Sequence, residues 1–93
     1  MAVKLLSHSN GNSSSLEFAS EDIEIVRQAI LDLFGEATSE RHITYSTIEF
    51  GGERFLFQNE WDDACLIAST EAGLNLLLQI ERRLERRLSE TIA

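Results

Sequence analysis

Ile43-Thr44-Tyr45-Ser46-Thr47-Ile48-Glu49-Phe50, Gly51-Gly52 and Glu53-Arg54-Phe55-Leu56-Phe57 follow one another, and the fold class is decided there. The first arm is rich in β-branched and aromatic residues, which suit a pleated, half-buried strand. A glycine pair between two such arms reads as a two-residue hairpin turn, because the matching turn needs positive φ at both positions. With the glycines in the turn, the register follows. Phe50 faces Glu53, Glu49 faces Arg54, Ile48 faces Phe55, Ser46 faces Phe57 and Tyr45 faces Gln58. Ile48, Phe50, Phe55 and Phe57 then share one face. Tyr45, Glu49, Arg54 and Gln58 share the other, with an opposite-charge pair directly across the strands.

C-terminal to this hairpin, residues 59–63 form a connection and Ala64-Cys65-Leu66-Ile67-Ala68 is apolar at every position. Such a run predicts a central strand buried on both faces. Ser69 or Thr70 can cap a final helix over about 71–89. Its stripe is Leu74, Leu77, Ile80 (or Glu81), Leu84 and Leu88, with Leu76 and Leu78 widening it near the start.

N-terminal to the hairpin, a polar loop follows a helix predicted over 21–34. Ser20 is a suitable N-cap, and Glu21, Asp22 and Glu24 put negative charge at the favourable end of the helix dipole. Ile23, Val26, Ile30, Leu33 and Phe34 recur at helical spacing, Leu31 widens the stripe, and Gly35 ends it. Residues 2–7 and Leu16-Glu17-Phe18 read as short strands around the turn-forming segment 9–15. Residues 1–15 either pair as a hairpin or form a loose arm. The predicted order is β-β-α-β-β-β-α, an α+β domain spanning 1–93 whose antiparallel sheet carries two helices on one face.

The totals restrict function. A 93-residue chain with 43 % apolar and 26 % charged residues is an ordinary folded composition for one domain. One cysteine, Cys65, allows no internal disulfide, and no apolar run approaches a membrane span or a signal-peptide core. A cytoplasmic protein without a membrane partner is expected. Asn12-Ser13-Ser14 matches a glycosylation sequon, which has no meaning outside the secretory route. The net charge is −8, and residues 1–79 hold 13 acids against 4 bases. Such a body repels nucleic acid and anionic membranes.

Few residues suggest chemistry. Glu60-Trp61-Asp62-Asp63 offers carboxylates to a hard cation but lacks the alternating ligands and glycine of a calcium loop, so a solvated turn is expected. His8 and His42 stand far apart without a metal-ligating neighbour, and Cys65 sits in an apolar strand where a thiol behaves as a small hydrophobe. No cofactor, metal or catalytic residue is expected. Arg82, Arg83, Arg86 and Arg87 alternate with Glu81, Glu85 and Glu90, a pattern of helical ion pairs such as Arg82 with Glu85.

A helix over 71–89 is about 28 Å long, whereas a short strand spans about 17–20 Å. Leu84 and Leu88 therefore either overhang the sheet or are covered by the N-terminal strands. If they overhang, Leu84 and Leu88 with flanking Arg83 and Arg87 form an interaction surface for a protein partner, most simply a second copy in a homodimer. The leading expectation is thus a non-enzymatic interaction or regulatory module. The alternative is a small-ligand-binding or enzymatic domain whose site gathers scattered residues such as His42, Tyr45 and Asp62.

Overall fold

A computed structural model describes residues 3–7, 13–60 and 63–92, with the backbone alone for Ser7, Glu60 and 86–92. Strands β1 (Val3–Ser7) and β2 (Ser14–Ala19) precede a single 3-10 turn, Ser20–Asp22, and helix α1 (Ile23–Phe34). Strands β3 (Thr38–Arg41), β4 (Ser46–Phe50), β5 (Glu53–Glu60) and β6 (Asp63–Ala68) follow, and α2 (Glu71–Ile92) closes the order. The result is the expected α+β architecture, an antiparallel sheet with the helices packed on it. It has six strands in the order β1-β2-β6-β5-β4-β3.

The Gly51-Gly52 hairpin has the register set out above. Phe50 pairs with Glu53, Glu49 with Arg54, Ile48 with Phe55 and Ser46 with Phe57. Both glycines have positive φ, 59° and 81°, as a primed turn requires. Tyr45 does not reach Gln58, because β4 starts at Ser46; the backbone of Tyr45 instead accepts the His42 N–H at 2.8 Å in the β3–β4 connection. That connection follows a strand, β3, in a segment expected to be a loop. Thr38–Arg41 carries no apolar residue and is exposed throughout, so periodicity gives no sign of it. Its strand form rests on backbone pairing to β4.

Strand β6 is central, between β2 and β5. It is not buried on both faces. Ala64, Leu66 and Ala68 are buried, while Cys65 and Ile67 are only half-buried on the side away from the helices. The sheet is a single layer whose second face has no helix over it among the described residues.

The core lies on the helix side, where Leu16, Phe18, Phe55, Leu66, Leu77 and Ile80 are all at or below 4 % exposure. Phe50 stacks between Phe34 and Phe55, at ring separations of 5.4 and 4.2 Å, and joins the end of α1 to the hairpin. Helix α1 buries Val26, Ala29 and Ile30, whereas Leu31 and Leu33 of the expected stripe are 46 % and 39 % exposed. The buried stripe of α1 is narrower than its sequence suggests because it meets one neighbouring helix and one flank of the sheet. Ser20 is no N-cap. It lies in the 3-10 turn, and its hydroxyl donates to Asn59 Oδ1 at 2.7 Å, tying that turn to the end of β5. Thr70 does cap α2, accepting the Gly73 N–H at 2.9 Å while its own hydroxyl donates to Glu53 at 2.7 Å.

A Cβ at Gly51 would stand 2.7 Å from Leu76 Cδ1, on a backbone that already disfavours side chains. At Gly52 nothing lies within 4 Å of that position. Gly51→Val should therefore lower the unfolding free energy by about 2–3 kcal/mol, and Gly52→Val by about 1 kcal/mol from backbone strain alone. Chemical-denaturation midpoints measured on both variants check the size and the order of the two effects.

Candidate functional site

The residues singled out on the last helix separate in the structure. Helix α2 starts over β5 and β6, where a Cβ at Gly73 would meet Ala68 and Phe55, and it packs onward against β2 and β1. Leu84 is 4 % exposed and belongs to the core with Leu77 and Ile80. It does not overhang. The N-terminal strands widen the sheet by two, and the helix meets its own chain at this position. Arg83 reaches across to α1, placing Nη2 3.4 Å from Asp32 Oδ2, while Asp32 also accepts from Gln28 at 3.0 Å. Both ends of the Arg83–Asp32 pair are partly exposed, so its contribution is small. No Arg82–Glu85 pair is among the ion pairs of the described residues. The side chains of Arg87 and Leu88 lie outside the described residues. The α2 backbone continues to Ile92, eight residues and about 12 Å past Leu84.

Of the three residues named for a scattered site, two come together. The His42 and Tyr45 rings stack at 4.7 Å, and Thr47 Oγ1 lies 3.4 Å from His42 Nε2. Ile43 at the tip of this connection is fully exposed. Asp62 lies outside the described residues, as do Trp61 and His8. No group of three or more His, Cys, Asp or Glu side chains that could hold a metal is found among the described residues. Cys65 stands on the open face of the sheet, beside Glu17 and Gln58 in the strand register.

Two features stand out instead. The first is the β1 margin. Among the described residues Val3–Ser7 pairs on one side only, with β2, and α2 packs over it. The second is a cleft of about 300 Å³ between α1 and the helix-side face of the sheet. Ile23, Val26 and Ile30 wall it from the helix, and Ile48, Phe57 and Leu66 from the strands. Arg27, Ser39 and Ser46 supply its polar atoms. The cleft exists because α1 packs chiefly against α2 and meets the strands closely only at its end, where Phe34 stacks on Phe50. Sequence reading missed it because none of its lining residues is unusual alone. The available signal was Ser46 on the face that carries Ile48 and Phe57, a polar break in an apolar surface. Sequence reading also missed Ser39, on the strand it did not foresee.

No significant match to the chain is found among protein families, curated proteins or solved structures. Among the described residues, no helix is long and apolar enough to cross a membrane.

The position of Leu84 yields a direct test. Leu84→Ala should cost about 2–5 kcal/mol of stability, as for other large-to-small changes in a core. A projecting Leu84 would instead tolerate the change within about 0.5 kcal/mol. Urea unfolding followed by circular dichroism separates the two.

Proposed function

We propose that the protein is a non-enzymatic interaction module that acts in the cytoplasm by binding protein, first of all a second copy of itself. The observation that supports this is the β1 margin. An edge strand presents unpaired N–H and C=O groups, which is a template for another strand. The Val3-Lys4-Leu5-Leu6-Ser7 edge has a single charge and no proline to discourage pairing. The opposite edge, Thr38-Ser39-Glu40-Arg41, carries two charges in four residues and is the better protected.

Antiparallel pairing of β1 with its counterpart about a two-fold axis is self-complementary. It joins two sheets into one and brings two copies of α2 to the same margin. Leu88 comes four residues after Leu84 in the sequence, one turn on in the same apolar repeat, and is the residue we assign to this interface. Arg87, next to Leu88 in sequence, is assigned to its rim, where charge sets specificity and association rate more than affinity, whereas Arg83 is engaged with Asp32 of α1.

Leu88→Glu should give a folded monomer where the unmodified chain is a dimer. Multi-angle light scattering at high micromolar concentration reads the mass, and circular dichroism verifies the fold. An unmodified chain that is monomeric under these conditions refutes the proposal.

A further inference from the structure

The α1–sheet cleft supports a different inference, independent of self-association. Its walls are aliphatic and aromatic, and its volume falls at the small end of the range for ligand sites. At about 30 Å³ per water-sized group, about 300 Å³ admits roughly ten such groups. The apolar walls call for an apolar body, and the charge at the rim settles the rest.

Residues 1–79 contain only 4 basic side chains; one of these, Arg27, lines the cleft from α1, and a second, Arg41, lies on the strand that carries the cleft-lining Ser39. Arg41 pairs in register with Ser46, so its side chain leaves β3 on the same face as the cleft-lining Ser46. Arg27 does contact Glu24 at 3.4 Å, but both side chains of that pair are more than three-quarters exposed. Such a pair is weak and screened, and the guanidinium keeps further donors. Arg41 makes no ion pair among the described residues. Ser39 and Ser46 add hydroxyl groups to the lining. The field of a chain with net charge −8 opposes anions in proportion to their charge, so among anionic head groups one with a single negative charge is opposed least.

We infer that the cleft binds a small amphipathic monocarboxylate of about eight carbons. Its chain lies between Ile23 and Ile30 on one side and Ile48 and Phe57 on the other. Its carboxylate stays at the mouth, where Arg27 and Arg41 supply charge-assisted hydrogen bonds. Apolar burial provides the affinity, and the two arginines discriminate acid from alcohol.

Titration calorimetry and amide chemical shifts on the whole chain test this with octanoate, octanol and octylammonium as probes. Saturable one-to-one binding of octanoate is expected, with shifts concentrated at Ile23, Ile30 and Ile48. Octanol and octylammonium should bind at least about tenfold more weakly, the size expected for one lost charge-assisted contact. Arg27→Gln with Arg41→Gln should bring octanoate down to the level of octanol and leave octanol unchanged. Ala37→Phe, which fills the mouth at an exposed position, should abolish binding of all three. Absence of saturable octanoate binding, octanol binding as tight as octanoate, or shifts confined to the open sheet face would each overturn the inference. If a substituted chain fails to fold, the comparison of the three probes on the unmodified chain decides the matter.

Discussion

Strands β2 and β6 lie 44 to 54 residues apart in sequence and pair along their whole lengths, from Ser14 with Ala68 to Ala19 with Asp63. Without that ladder the chain separates into an N-terminal hairpin and a four-stranded meander, and neither has enough apolar surface to bury. A two-stranded hairpin is marginal by itself. The meander without β2 would leave α2 over a narrow floor. The ladder places Leu16 and Phe18 beside Leu66 and Ala64, and this widened surface is what Leu77, Ile80 and Leu84 cover. The burial of Leu84 is therefore a consequence of an N-terminal pairing more than sixty residues away in the chain.

This dependence explains which parts of the fold were legible from sequence. The Gly51-Gly52 hairpin was read correctly between Ser46 and Phe57, though not out to Tyr45 and Gln58, because what fixes it is local: a turn with one allowed chemistry, alternation in both arms, and Glu49 facing Arg54, which meet at 2.8 Å. The α2 cap at Thr70 and the end of α1 at Gly35 were likewise local. The fate of Leu84 was not, since it depended on whether residues 3–19 pair with each other and with β6. Strand β3 was illegible for the opposite reason. Thr-Ser-Glu-Arg has no buried face to create a pattern, and only the neighbouring strand holds it extended.

The same distinction applies to the functional surfaces. His42 and Tyr45 were named from residue type, and their stacking follows from a turn of four residues. The cleft required three things that sequence does not supply together: the direction in which α1 leans, the existence of β3, and the register that puts Arg41 beside Ser46. A site built from ordinary residues on separate elements can be seen only once those elements are placed.

The β2–β6 ladder also has a consequence in time. Non-local pairing must wait for loop closure, and the meander at 46–68 pairs residues no more than 13 apart in sequence. During synthesis at about 5–20 residues per second, β2 leaves the ribosome roughly 2–9 s before β6 begins to follow. For that interval Leu16 and Phe18 are without the strand they will pair with, and β1 is their only adjacent β-strand. The serines at 13, 14 and 15 and Glu17 dilute the apolar character of this waiting segment. They hold down its tendency to pair with neighbouring nascent chains, a hazard that grows with hydrophobicity and falls with charge. The order of elements thus gives the N-terminal hairpin the longest exposure of any part of the sheet, and its serine-rich composition suits a segment that has to remain soluble before it has a place to go.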